Sequence, residues 1–291
     1  MTPLGLAQRS RTSSTAPFGD RSELAELVEL AVDAAEKAGA LQLSGFGRPM
    51  RLWEKAPRDY VTDFDLRSEE LIYRHLSRAV GIGFIGEERR HDGHASGLTW
   101  VVDPLDGTAN FLRGYPSFAV SIALVEDGEP AIGVVHAPLL RSTYVAVREG
   151  GAWLGTERLR VAARRPSAAV CAIGIPRSME ERARFGEALA RLLPEIDDIR
   201  RVSPISLELA YVASGVLDGC FERELGPWDI AAGALLVREG GGIVSDWRGH
   251  PQGWWSSGTV LAAATAELHR TLVDSAAGVE QSNGLPVWAG T

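Results

Sequence analysis

The nine residues Trp100-Val101-Val102-Asp103-Pro104-Leu105-Asp106-Gly107-Thr108 constrain this chain more than any other stretch. A run of apolar, β-favouring residues makes a buried strand, and a turn containing Pro and Gly breaks it. Two carboxylates flank that turn. Their spacing lets both side chains and the Leu105 carbonyl converge on one point, while the Gly107 and Thr108 N–H groups face an anion on the other side. Oxygen donors without Cys or His suit Mg²⁺ or Mn²⁺ far better than zinc. The same residues also suit an ordinary Asp turn whose side chains cap backbone donors. By itself the turn leaves both readings open.

Two other acidic segments repeat this ambiguity. Glu87 and Glu88 follow strand-like Phe84-Ile85 and Gly86, which brings one or both carboxylates to a strand end, although adjacent glutamates in a loop are ordinarily just solvated. Asp229 opens a helical pattern in Pro227-Trp228-Asp229-Ile230-Ala231-Ala232-Gly233. There it is either an N-terminal cap or a ligand pointing across a cleft.

Periodicity places these segments among alternating elements. Leu24, Leu27, Val28, Ala31, Ala35 and Ala38 follow helical spacing, with Asp20 and Glu23 as a capping box and Gly39 as the stop. Residues 59–65 read as an extended piece running into a helix over 67–80, which puts Asp65 near that helix's N-terminus. Residues 118–154 carry three β-rich runs, separated by Asp127-Gly128 and Leu139-Leu140-Arg141, as in an antiparallel meander. Beyond a basic, polar boundary at 156–166 the pattern alternates again. A strand over 169–175 precedes a helix capped by Ser178 with Glu181, a strand over 199–202 precedes a helix through Tyr211, and a helix over 228–239 stops at Gly240-Gly241-Gly242 before the strand 243–245. The expected division is a disordered arm over 1–19, a metal-binding α+β unit over 20–155, an α/β unit over 156–275 that completes the cleft, and a tail over 276–291.

Composition excludes several functions. A net charge of -8 offers no basic face for nucleic acid, and no apolar run approaches the roughly 20 residues of a membrane helix. The first 19 residues have no continuous apolar core of the secretory kind, so the expected location is the cytoplasm. Cys171 and Cys220 need form no disulfide in that setting, and neither reads as a nucleophile. His91, His94, His136, His250 and His269 have no metal-site spacing and read as structural or surface residues. Trp53, Trp254 and Trp255 read as packing residues.

Together, Gly86-Glu87-Glu88, Asp103-Pro104-Leu105-Asp106-Gly107-Thr108 and Trp228-Asp229-Ile230-Ala231-Ala232-Gly233 resemble the motifs of the inositol monophosphatase family, in the family's order. Asp59-Tyr60-Val61-Thr62-Asp63-Phe64-Asp65 resembles its upstream motif, and the resemblance runs from about Leu24 to Leu272. It implies a layered α-β-α-β-α sandwich of the inositol monophosphatase/fructose-bisphosphatase type, found as a homodimer, with lithium-sensitive, Mg²⁺-dependent hydrolysis of a small phosphate monoester such as an inositol, cyclitol or sugar phosphate.

Carried over by position, the resemblance implies two or three metal ions. Glu87, Asp103 and the Leu105 carbonyl hold one; Asp103, Asp106 and Asp229 hold a second; a third leans on Glu87. Asp65 and Thr108 look like the pair that orients the attacking water, and Lys55 like a basic residue near the entry. Gly107, Thr108, Ser203, Ile205, Glu222 and Asp229 form the substrate contacts. Where the family shows Gly-Ser-Ala-Ala this chain has Ser203-Pro204-Ile205-Ser206, so the alcohol it accepts is open. Histidinol phosphate, a nucleotide, or binding without hydrolysis remain alternatives.

Overall fold

The computed structural model describes residues 21–48, 50–56, 59–91, 97–201 and 204–279. The 1–19 arm, Asp20 of the capping box, His94, Ser203 and the tail beyond 279 lie outside them. In chain order the elements begin α1 (Arg21–Gly45), β1 (Leu52–Ala56), β2 (Asp59–Thr62), α2 (Asp63–Leu76), β3 (Gly83–Gly86), β4 (Arg90–His91), β5 (Leu98–Asp106) and α3 (Thr108–Leu112). They continue with β6 (Ala119–Glu126), β7 (Glu129–Ala137), β8 (Ser142–Val147), β9 (Gly151–Leu154), β10 (Glu157–Arg158), β11 (Val170–Ile173) and α4 (Met179–Leu192). The last are β12 (Asp198–Arg200), α5 (Ile205–Ala213), β13 (Gly219–Arg223), α6 (Pro227–Glu239), β14 (Ile243–Ser245), α7 (Trp254–Ser257), β15 (Thr259–Ala263) and α8 (Ala266–Ala276).

An eight-stranded sheet has the order β10-β9-β8-β7-β6-β5-β3-β4, and a five-stranded sheet the order β12-β11-β13-β15-β14. Strand alternation explains the layers. In β5, Trp100 and Val102 point to the face covered by α1 and α2, while Val101 points to the face covered by α5 and α6. Both faces are dry, which is why the central strands read as continuous apolar runs. Helix α6 is apolar almost all round, with Ile230, Ala231, Ala232, Ala234, Leu235, Leu236 and Val237 buried. Such a helix belongs inside, and it lies between the two sheets. Phe185, Leu192, Leu268 and Leu272 of α4 and α8 cover the outer face of the second sheet. The result is the expected α-β-α-β-α sandwich.

Several local expectations change. Helix α1 does not stop at Gly39 but continues to Gly45. Gly39 is a contact glycine, since a Cβ there would lie 2.6 Å from His136 Cδ2 and 2.9 Å from Pro138 Cγ. Helix α2 begins at Asp63 and ends at Leu76, rather than spanning 67–80, because Thr62 caps it through the Phe64 and Asp65 N–H groups. Strand β5 does not break at Pro104; it runs to Asp106 through a bulge between Asp103 and Asp106, where the missing proline N–H costs no ladder bond. The meander has four strands rather than three, the third run being split between β8 and β9. The Ser178 cap, with Glu181 N–H donating at 3.1 Å, is as expected.

One glycine sets the distance between layers. A Cβ on Gly133 in β7 would lie 2.7 Å from the Ala232 carbonyl oxygen of α6, a backbone atom with no rotamer to escape into. Gly186 in α4 has nothing within 4 Å of its Cβ position. Gly133→Ala is therefore expected to destabilise the protein by about 1–3 kcal/mol through overpacking, while Gly186→Ala stabilises by up to about 1 kcal/mol through helix propensity. Urea unfolding of the two variants checks this, and equal midpoints would remove Gly133 as the spacer of α6.

Candidate active site

The elements that carry the acidic segments converge because of strand direction. Strands β3 and β5 are parallel neighbours, so Glu87 after one and Asp103 to Asp106 at the end of the other emerge on the same side. Helix α6 presents its first turn there, with Pro227 at its start and Asp229 in the third position. Beneath the bulge, Phe64, Leu105, Phe111 and Phe118 form a small core, with Phe111 and Phe118 edge-to-face at 5.0 Å. Gly107 turns the chain out of β5 at φ 94°, a conformation that suits glycine.

Three carboxylates meet here. Oxygens of Asp103, Asp106 and Asp229 all lie within 4.8 Å of one another. In each residue one oxygen is tied back to the protein. Asp103 Oδ1 accepts from the Leu105 N–H at 2.9 Å, and Asp229 Oδ2 from the Gly226 N–H at 2.6 Å. Asp106 Oδ2 accepts both the Ser206 N–H at 2.8 Å and its Oγ–H at 2.6 Å. Capping and clustering were rival readings of Asp103 and Asp229 in the sequence, and the structure does both at once. Glu87 lines the same cleft of about 280 Å³, with Lys55 Nζ 3.3 Å from its Oε1 and 2.7 Å from Glu88 Oε1.

The electrostatics are unfavourable without a cation. At an effective dielectric of about 20, two like charges 4.8 Å apart repel by on the order of 3–4 kcal/mol. Burial pushes the Asp103 and Asp106 carboxyls well above the carboxylate range, reinforced at Asp103 by Glu87 and its aspartate neighbours and at Asp106 by Asp229. Burial and Glu87 raise Asp229 to about 7. Asp65 is raised to about 6 by burial, against the hydrogen bonds it accepts. A set of hard oxygen donors strained by its own charge fits a divalent cation, which reverses the sign of every one of these terms.

Asp65 is fully buried and held at both ends. Its Oδ2 accepts from the Thr62 N–H at 2.8 Å and Oγ1 at 2.5 Å, and Thr108 Oγ1 lies 2.8 Å from its Oδ1 and 3.0 Å from the Leu105 carbonyl. Such a hydroxyl can hand a proton acceptor to a water in the cleft. Gly107, Thr108, Ile205, Glu222 and Asp229 all line that cleft, so the residues expected to touch substrate are brought together, apart from Ser203, which lies outside the described residues. Cys171 and Cys220 are buried free thiols, and burial raises Cys171 to about 12. They are inert at neutral pH. His136 and His269 bond to Thr143 and Ser245, as structural histidines do.

Sequence reasoning missed two contributors. Ser206 appeared there only as part of an unusual loop, and its contact with Asp106 spans 100 residues. Strand β13, which carries Glu222 and Arg223, follows the turn signals Ser214-Gly215 and Asp218-Gly219, which could have announced it; the arginines at 177, 182, 201 and 223 line the cleft and drew no notice.

The chain is similar to known proteins over most of its length. The profile of the inositol monophosphatase family matches residues 23–281. An inositol-1-monophosphatase of Mesorhizobium japonicum is 43% identical over 242 residues, covering 81% of this chain and 91% of that protein. A Nus factor SuhB of Xylella fastidiosa is 41% identical over 229 residues, covering 76% and 82%. Among solved structures, the extragenic suppressor protein suhB from Bartonella henselae matches with a TM-score of 0.83 at 36% identity, covering 87% of this chain and 99% of that one. The Thermotoga maritima IMPase matches at 0.79 and 29%, covering 87% and 98%.

Two outcomes follow from the carboxylate geometry. Folded carboxyls raised from about 3.9 towards 7 bind more protons than the unfolded chain over that window, so stability falls as pH rises through it. In chelator, the melting temperature is expected to drop between pH 5 and 8, and Mg²⁺ to restore it most at pH 8; a melting temperature that rises over that range would contradict the charge repulsion. Ser206→Ala, which keeps the backbone donor but removes the hydroxyl, is expected to weaken Mn²⁺ binding by about tenfold, the lower end for partners of metal ligands. Calorimetric titration with Mn²⁺ reads this directly, and an unchanged affinity would leave Ser206 without a role at Asp106.

Proposed function

Because the chain belongs to the inositol monophosphatase family, we propose that it is a Mg²⁺-dependent phosphatase that hydrolyses a small phosphate monoester. One observation carries the reading: buried Asp103 and Asp106 and half-buried Asp229 each have one oxygen anchored by the protein and present their remaining charge to a common point in a small cleft. Glu87, Asp103, the Leu105 carbonyl, Asp106 and Asp229 would hold Mg²⁺ or Mn²⁺. When bound, such ions lower the pKa of a water and neutralise charge on the phosphoryl and leaving oxygens.

The protein's own residues do the rest. Asp65 draws the Thr108 hydroxyl proton towards itself, which leaves the Thr108 oxygen to accept from the attacking water and aim it in line. Gly107 and Thr108 present backbone N–H groups to the phosphoryl oxygens as charge develops there. Lys55, whose pKa rises above its usual value because Glu87 and Glu88 outweigh its burial, stays charged beside the entry and helps hold Glu87. Glu222 and Ile205 face the alcohol. No side chain is placed as a nucleophile, so the phosphoryl group passes directly to water as its bond to the ester oxygen breaks, and the alcohol leaves with a proton that the water gives up. Relatives carry both the phosphatase and the Nus factor name; for this chain the complete carboxylate set favours hydrolysis.

Phosphate release from inositol 1-phosphate or a sugar phosphate is expected to require Mg²⁺ or Mn²⁺ and to vanish in excess EDTA. Asp106→Asn and Asp229→Asn are each expected to lower kcat more than about 100-fold, beyond what partners of ligands contribute. Near wild-type kcat in either variant at saturating Mg²⁺ would return that residue to the role of a cap.

A further inference from the structure

The buried stripe of α1 carries one polar side chain among its described residues. Leu27, Ala31, Ala34, Ala35 and Ala38 pack against α2 and the eight-stranded sheet, whereas Gln42, one turn further along the same stripe, is an amide with no exposed surface. Its Nε2 donates to the Pro104 carbonyl at 2.6 Å and to Ser68 Oγ of α2 at 3.3 Å. A carbonyl oxygen only accepts, which fixes the orientation of the amide. Its Oε1 is thereby turned into the interior, where it meets no donor among the described residues.

Packing does not call for this residue. A methionine or leucine would fill a similar volume and leave no polar atom behind, and a buried acceptor without a donor counts against the folded state. What the amide adds is its hydrogen bond to Pro104. That bond lands on the peptide joining Pro104 to Leu105, in the bulge between Asp103 and Asp106. The N–H of the same peptide, on Leu105, donates to Asp103 Oδ1 at 2.9 Å. A peptide unit is planar and stiff, so a donor that holds its oxygen also aims its N–H. Gln42, the Pro104–Leu105 peptide and Asp103 thus form one chain of hydrogen bonds from α1 into the carboxylate cluster, each bond polarising the next. Pro104 has no N–H of its own by which a neighbouring strand could restrain the bulge there.

We propose that Gln42 is a positioning residue for the cation site. From outside the cleft it orients the Pro104–Leu105 peptide, which in turn holds Asp103 with its other oxygen towards Asp106 and Asp229. Gln42 itself touches neither cation nor substrate. The inference rests on the reading of the aspartates as Mg²⁺ or Mn²⁺ ligands and deepens it.

Calorimetric titration of the full chain with Mn²⁺ alone tests this. Gln42→Met keeps the length of the side chain and removes the donor, and it is expected to weaken Mn²⁺ binding by about tenfold, as loss of a metal ligand's partner does. Gln42→Asn keeps the amide but withdraws it by one methylene from the Pro104 carbonyl, and is expected to weaken binding by at least about threefold; it decides the matter should Gln42→Met not fold. Ala35→Gly, two turns before Gln42 in the same stripe, is expected to lower the melting temperature through helix propensity while leaving Mn²⁺ affinity within about twofold of wild type. Unchanged affinity in Gln42→Met, or an equal loss in Ala35→Gly, overturns the proposal. Wild-type protein that binds no Mn²⁺ overturns the ligand reading and this inference together. Wild-type protein that binds Mn²⁺ but releases no phosphate from any ester fails the phosphatase reading alone, and the affinities of the variants still decide the role of Gln42.

Discussion

Repulsion among crowded carboxylates is the constraint around which this molecule is arranged. Asp103, Asp106 and Asp229 crowd one point, and each is restrained by donors that the fold brings to its second oxygen. Those donors come from three places: the bulge of β5, the start of α5 and the residue before α6. Without them the side chains would rotate apart to relieve their charge. With them the strain is retained until a cation enters, so part of the binding free energy of that cation goes to relief of repulsion already present.

Holding α6 in register is the structural consequence. The helix is buried between two sheets, and its first turn must reach the end of β5 to complete the cluster. Apolar side chains all round it make the position favourable, and the missing side chain at Gly133 makes it close. The aromatic group of Phe64, Phe111 and Phe118 does the same for the bulge from below. Neither Gly133 nor these phenylalanines line the cleft, yet they set the distances within it.

The cleft then acquires its second wall from the other sheet. Parallel strands in both sheets direct their C-terminal ends towards it, carboxylates from β3 and β5, and arginines from β11, β12 and β13.

Much of this was legible in the chain. The motif around Asp103 and Asp106, the glutamates after Gly86 and the Asp229 helix start lie within short, self-contained segments whose strand, turn and cap chemistry depends on neighbours in sequence. The helix ends did not follow so simply. Gly39 reads as a stop because glycine is a poor helix former, and only the approach of His136 from β7, which leaves no room for a Cβ, explains why a glycine stands inside the helix. Pro104 reads as a strand breaker, and only a bulge opposite β6 lets the strand pass it. Thus local sequence determined which residues are acidic, where strands end and which helix turns carry a carboxylate. Tertiary structure alone decided that Ser206 would hold Asp106 from 100 residues away, and that arginines from separate strands would face those carboxylates. The physical reason is that a hydrogen bond or a charged wall between distant segments depends on how sheets and helices stack, and no local pattern of residues encodes that distance.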